Sequence, residues 1–253
     1  GHLLNMILAI DGYEANVAHR VGIGRYAYEM IVHIYTLLKD NQRDIEVRVY
    51  LPQTALPDMP KETKWWHYRV ITPANLWTLF GFPKALMADL PRADIIFSPT
   101  HYIPRFIRTA RVMAIMDLSY LEFPDMFRAK DLYQLVHWTK YSATRAKKIF
   151  TISEFSKHAI LKAYGGSPDR IVVTYPGLPS VVSTRRMISI TKLRERYGIS
   201  KHYILSVGTI QPRKNYVRLI EAFYQFLTKN KQQFGDIDLV IVGKKGWLYD
   251  EIV

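Results

Sequence analysis

Short apolar runs rich in β-branched residues alternate along the chain with stretches whose apolar residues recur every three or four positions. Seven such runs precede Gly177: Met6–Asp11, Ile45–Leu51, Tyr68–Thr72, Asp94–Ser98, Val112–Met116, Lys148–Ile152 and Ile171–Thr174. A short run that is apolar at most positions suits a strand buried on both faces. Helical spacing is clearest over Arg25–Leu38, where Tyr26, Met30, Ile34 and Leu37 share a face, and over roughly Ala129–Ala146. A third helix is expected after Ser153, a residue type suited to an N-cap. Strands and helices in this alternation predict an α/β fold, with residues 6–177 forming one doubly wound, Rossmann-like parallel sheet.

The alternation breaks between Gly177 and Ser189, where a proline, several serines and two arginines show no hydrophobic period. Residues 178–200 therefore read as a linker, with a short helix at Thr191–Tyr197. A second βα series opens in residues 201–253 with a strand at Tyr203–Val207. A helix follows whose apolar stripe is Tyr216, Leu219, Ile220, Phe223 and Leu227, then a strand at Leu239–Val242. So few strands cannot make a parallel sheet covered on both faces, so this part is expected to be the start of a truncated second domain.

Composition narrows the partners. A formal net charge of +13 and a pI near 9.7 favour anions: nucleotide sugars, anionic lipid surfaces or nucleic acids. Neither an RNP-type nor a helix-turn-helix pattern accompanies the charge, so nucleic acid is not expected. Cysteine is absent, which excludes disulfides and thiolate metal sites and fits a reducing cytosol. No apolar run reaches the length of a membrane span. Gly1 to Asn5 read as a cloning remnant ahead of a natural start at Met6, with no secretory leader after it.

The richest chemistry lies in Val207-Gly208-Thr209-Ile210-Gln211-Pro212-Arg213-Lys214-Asn215. A strand runs into a glycine turn, two adjacent cations follow, and then a helix begins. First-turn amides and the helix dipole favour an anion there, Arg213 adds a planar fork of donors and Lys214 a point charge. The same residues would also suit a solvated basic loop. Gly22-x-Gly24-x-x-Ala27 nominally matches a dinucleotide fingerprint, but ten residues separate it from Asp11, and Glu46 lies inside its strand, so NAD is not expected. Asp117 stands at the carboxyl end of a strand, where open α/β sheets bind ligands. Asp236-x-Asp238 imitates a metal-binding pair, yet it enters a strand from a polar turn and reads as solvated; no cluster has metal spacing. The aromatic stretch Asn75–Lys84 reads as a lid or core segment, with a bilayer contact as the alternative. Arg145, Lys147 and Lys148 suit a helix C-terminus as dipole partners.

In order along the chain, Gly22-Ile23-Gly24-Arg25-Tyr26, Ala114-Ile115-Met116-Asp117-Leu118-Ser119 with Phe123-Pro124, Thr151-Ile152-Ser153-Glu154-Phe155-Ser156, Tyr175-Pro176-Gly177-Leu178 and the Gly208–Asn215 loop resemble the motifs of GT-B glycosyltransferases of family 4, the mannosyltransferase B-like group 1 enzymes. The resemblance runs from Met6 over nearly the whole chain. It implies a GT-B fold and metal-independent transfer of a hexose, with retention, from a nucleoside diphosphate sugar to a growing glycan or lipid-linked acceptor. No cofactor beyond that co-substrate is implied. The members that read most like this chain build surface polysaccharides, often from GDP-mannose, in the cytoplasm or at the inner face of the membrane. Transferred by position, Gly208, Arg213 and Lys214 would hold the donor diphosphate. Gly22, Gly24 and Arg25 would approach donor phosphate or acceptor at the interdomain cleft, and Asp117 would occupy the catalytic position. The family histidine before that aspartate is Met116 here, and His101 could reach the same edge as a sugar contact. The family's acidic E-x7-E segment does not occur. Together with Met116, this keeps a second reading open: a non-catalytic GT-B-like fragment that binds a glycan, lipid or protein.

Overall fold

A computed structural model describes residues 6–41, 44–74, 76–177, 189–200 and 202–246. Gly1–Asn5 and most of the expected linker, residues 178–188, lie outside the described residues. The chain divides into two units, Gly1–Pro179 and Ser180–Val253.

In the first unit, β1 (Met6–Asp11) leads by a long loop to α1 (Ile23–Asn41), then β2 (Ile45–Leu51) and β3 (Trp66–Val70). A π-helical turn at Trp77–Gly81 opens directly into α2 (Phe82–Ala88), followed by β4 (Ile95–Ser98) and β5 (Ala110–Ala114). Then come α3 (Ser119–Glu122), α4 (Ala129–Arg145), β6 (Lys148–Thr151), α5 (Glu154–Tyr164) and β7 (Ile171–Val173). The strands form one seven-stranded sheet in the order β3-β2-β1-β4-β5-β6-β7, and every pairing is parallel.

Neighbouring residues of a strand face opposite sides of a sheet, and the core divides accordingly. Ile10, Val49 and Phe97 pack with Ala27, Ile31 and Leu38 of α1. Their chain neighbours Ala9, Tyr50 and Ile96 pack on the other side with Trp77, Phe82 and Leu86. Met113, Ile149 and Ile171 continue the core beneath α4 and α5. Both faces are thus filled, which is why the strands read as apolar runs. The aromatic stretch before Lys84 serves this core through Trp77 and Phe82, while Leu76 and Phe80 point outward, each 62% exposed.

Two strands of this sheet, like β9 (Ile237–Val242) in the second unit, start two residues earlier than their hydrophobicity suggests. β3 begins at Trp66, whose fully buried ring belongs to the core against α1. β5 begins at Ala110, held by pairing with Ile95, and its ladder still reaches Ile115, whose amide donates to the Phe150 carbonyl at 2.8 Å.

The loop between β1 and α1 is fastened by polar groups. Asn16, fully buried, donates to the carbonyls of Gln53 and Thr54 at 3.1 and 3.0 Å and accepts from the Leu56 amide at 2.9 Å. Arg20 lies over the Tyr28 ring at 3.9 Å and forks onto Asp58, one arm at 2.9 Å. These contacts tie the loop to the segment after β2.

The second unit holds α6 (Ile190–Tyr197), β8 (His202–Val207), α7 (Tyr216–Phe234) and β9 (Ile237–Val242), with β8 and β9 paired in parallel. The inward stripe of α7 runs through Tyr216, Leu219, Phe223, Phe226 and Leu227; Ile220 is exposed, contrary to the sequence expectation. Steps of 3.6 residues carry the stripe to Phe226, whose ring meets Phe234 at 5.3 Å.

Asn16→Ala removes three buried hydrogen bonds and leaves two carbonyls and an amide without partners. It is expected to lower stability by about 3 kcal/mol, read as a shifted urea midpoint at unchanged slope.

Candidate functional site

In the first unit the strand order reverses at β1: the chain steps from β1 to β2 and β3 on one side and resumes at β4 on the other. Loops leaving the carboxyl ends of β1 and β4 part there and leave a crevice, the usual ligand position in open α/β sheets.

Asp11 closes β1 at this point, and its carboxyl is buried. Oδ1 accepts from the Tyr13 amide at 3.1 Å and from the Trp77 indole N–H at 2.9 Å. Trp77 in turn lies against Tyr13, with centroids 5.2 Å apart, and stacks on Phe82. Removal from water outweighs the two donors and raises the Asp11 pKa from 3.8 to about 7, with the nearby Glu14 carboxylate adding to the rise. Burial also raises the Glu14 carboxyl. Asp11 is the site feature that sequence reasoning missed. A lone aspartate ending an apolar strand was visible, but its partner Trp77 lies 66 positions away.

Gly22 and Gly24 begin α1 on the same side. Gly22 has φ +52°, a conformation that favours glycine, and a Cβ at Gly24 would stand 2.9 Å from the Glu14 carbonyl oxygen. The glycine pair therefore lets α1 start against the β1 loop. Arg25 directs its guanidinium to Glu29, one turn along the helix.

The structure brings His101 and Asp117 together, from the loops after β4 and β5. The Met116 amide donates to His101 Nε2 at 3.3 Å, so Nδ1 carries the ring proton. Burial depresses the His101 pKa to about 4, although the Asp117 charge pulls it upward. The imidazole is neutral at ordinary pH. Asp117 Oδ1 accepts from the amide and hydroxyl of Ser119 at 2.9 and 2.6 Å and so opens α3. Ser156, in the turn capped by Ser153, donates its hydroxyl to the Met116 carbonyl at 2.8 Å and fixes this strand end from the α5 side. Met116 thus enters this corner through its backbone amide and carbonyl.

In the second unit, the loop after β8 packs backbone to backbone on the loop after β9. The Gly208 amide donates to the Val242 carbonyl and the Ile210 amide to Lys244, both at 2.9 Å. A Cβ at Gly243 would fall 1.8 Å from the Gly208 oxygen. Tyr216 donates its hydroxyl to that same oxygen at 3.1 Å. Pro212–Lys214 form a 3-10 turn, and Asn215, at φ 56°, starts α7 without a side-chain cap. Arg213 and Lys214 are exposed, and the stem of Lys214 lies over Gly208. Gln211 is buried, and its Oε1 has no partner among the described residues. Asp238 accepts from the Ser200 amide, which lowers its pKa, so the Asp-x-Asp pair is engaged in part within its own unit. Among the described residues no group of three His, Asp or Glu side chains is placed to hold a metal, and no helix is long and apolar enough to cross a membrane.

A parallel sheet reversing at β1 is a Rossmann-like architecture, and in fold the chain is similar to solved GT-B glycosyltransferases. It is 27% identical over 155 residues to O-antigen chain mannosyltransferase B of Escherichia coli, covering 60% of this chain and 39% of that protein. The chain therefore spans about two fifths of that relative. HepE of Anabaena, crystallised in complex with UDP and glucose, superposes with a TM-score of 0.57 at 17% identity, over 98% of this chain and 63% of its own. WaaG, a glycosyltransferase involved in lipopolysaccharide biosynthesis, gives 0.59 at 17% identity, over 95% and 64%. Sucrose-phosphate synthase of Thermosynechococcus elongatus gives 0.59 at 11%, over 94% and 70%. No protein-family model matches the chain.

Buried Asp11 and half-buried His101 pull stability in opposite directions. From pH 3.8 to about 7 the folded chain keeps a proton on Asp11 that the unfolded chain releases, so this carboxyl erodes stability as pH rises. From pH 6.5 down to about 4 the unfolded chain takes a proton that His101 in the folded chain refuses, so the histidine erodes stability as pH falls. Relative to wild type, Asp11→Asn is expected to gain stability toward pH 7, on the order of 4 kcal/mol at most. His101→Gln should gain toward pH 4. Urea titrations across this window check both; curves parallel to wild type would contradict the assigned protons.

Proposed function

We propose that this protein is a glycosyltransferase of surface polysaccharide or lipopolysaccharide synthesis, moving a hexose from a nucleoside diphosphate sugar to a glycan or lipid-linked acceptor at the inner face of the membrane. The observation that carries this reading is the Gly208–Asn215 loop. Two glycine loops locked together present a backbone turn, two exposed cations and an uncapped helix start side by side. That combination suits a diphosphate, because one short loop carries backbone amides, a guanidinium and an ammonium. In transfer, the bond from the sugar anomeric carbon to the diphosphate oxygen breaks, and the acceptor hydroxyl oxygen forms the new bond and gives up its proton. Arg213 and Lys214 would neutralise the charge gathering on the departing diphosphate. Retention of configuration and a mannose donor are part of the proposal; the sequence relative, a mannosyltransferase, supports the latter.

On the first unit, His101 and Asp117 would face the sugars, His101 as a neutral hydrogen-bonding group and Asp117 as the carboxylate at the reacting end. Gly22 and Gly24 would let the start of α1 approach phosphate or acceptor closely. Met116 favours one alternative, a non-catalytic fold that binds a glycan, lipid or protein, since a thioether cannot shuttle a proton.

Isothermal titration of GDP, UDP and GDP-mannose tests the reading. One nucleotide is expected to bind the wild type and to lose at least tenfold in affinity in the Arg213→Ala, Lys214→Ala double variant, about the loss for two charge-assisted contacts. Equal binding by both proteins would remove the loop from the donor site. No binding of any nucleotide would favour the non-catalytic alternative.

A further inference from the structure

The opposite edge of the first unit's sheet, where β4 and β5 begin, carries a different surface. A cavity of about 180 Å³ opens there, floored by Leu86, Ile96 and Ile107. Met87 and Phe106 line it too, together with Arg92 and Arg108. It is smaller than the pockets that enclose nucleotides or drug-sized ligands, but roomy enough for the end of one alkyl chain.

The residues around it are presented outward. Phe106 has a left-handed backbone, φ 60°, and its ring is 82% exposed. Leu90, two residues ahead of Arg92, is 71% exposed, and Met87 is exposed as well. A large aromatic residue in that conformation is unfavourable by itself, and burial of the ring does not repay it. The neighbouring carboxylates are already committed. Asp89 accepts from Tyr50 and Arg69 at 2.9 and 3.1 Å, and Asp94 accepts from the Ile7 amide at 2.8 Å. Arg92 and Arg108 make no ion pair among the described residues. Projecting apolar tips beside unpaired cations, on a chain of net charge +13, complement an anionic bilayer, with the tips at the acyl boundary and the guanidinium groups among the phosphates.

We propose that Phe106, Leu90 and Met87, with Arg92 and Arg108, form a membrane-docking face for anionic lipid, and that the cavity behind Phe106 accepts an acyl chain end. The face lies a strand length from the crevice at Asp11 and His101, on the order of 15 Å at 3.3 Å per residue. It is also not where the aromatic stretch Asn75–Lys84 suggested a bilayer contact. The inference rests on the membrane-side location in the proposed function, but not on donor binding or transfer.

Co-sedimentation with phosphatidylcholine vesicles, with and without phosphatidylglycerol, tests it. The wild type is expected to pellet only when phosphatidylglycerol is present. Arg92→Gln with Arg108→Gln should weaken that binding roughly thirtyfold, from about 1 kcal/mol for each interfacial cation. Phe106→Ser with Leu90→Ser should reduce it severalfold while leaving its dependence on anionic lipid. All four positions are exposed, and unchanged circular dichroism and melting would show that the variants fold. Failure of the wild type to bind, or undiminished binding by both variants, would overturn the proposal. So would dimerisation lost in Phe106→Ser with Leu90→Ser, which would make the face a contact between copies. Vesicle binding without nucleotide binding would sink the transferase reading and leave this face standing; the converse would do the reverse.

Discussion

A parallel sheet must be covered on both faces, and each crossover between parallel strands covers one of them. Here the path from β1 to β2 lays α1 on one face, and the path from β3 to β4 lays α2 on the other. The two crossovers diverge at β1. The candidate site at the crevice follows from that divergence, because the loops after β1 and β4 cannot close over one another. Asp11, Gly24, His101 and Asp117 come from loops far apart in the chain, yet the sheet delivers them to one edge.

What keeps that edge in shape is polar rather than apolar. The β1 loop hangs on Asn16 and Arg20, the start of α1 on the missing side chain of Gly24, and the end of β5 on Ser156. Each is a local fastening with few alternatives, so the crevice wall is defined although loops build it. The ionisable groups inside it are poorly hydrated. A carboxyl of raised proton affinity at Asp11 and a neutral imidazole at His101 lie along the same edge, and desolvation is the main cause in both cases.

The sheet was legible because its strands are buried on both sides, which prints an unbroken apolar run into the sequence. Boundaries were less so. β3 and β5 each begin two residues early, because pairing with a neighbour and the burial of Trp66 decide a strand's start, and neither is a local property. Ile220 fell out of the α7 stripe because any five apolar residues at helical spacing admit more than one face. Of the candidate site, the positions of the glycines, His101 and Asp117 after strands could be read from the sequence. Asp11 could not, since its unusual proton affinity comes from burial beneath Tyr13 and Trp77. The docking face was invisible for a similar reason: exposed phenylalanine and buried phenylalanine are spelled alike.

The contact between Gly208 and Gly243 carries a consequence for how this architecture changes over time. With a prospective Cβ at Gly243 only 1.8 Å from the Gly208 carbonyl oxygen, neither loop can be altered as an independent cassette. A replacement that rebuilds the β8 loop must bring a compatible β9 loop with it, or the new segment will not seat. Tolerated change should therefore concentrate in side chains on this frame, at positions such as Arg213 and Lys214, while the two backbone turns travel together as one module.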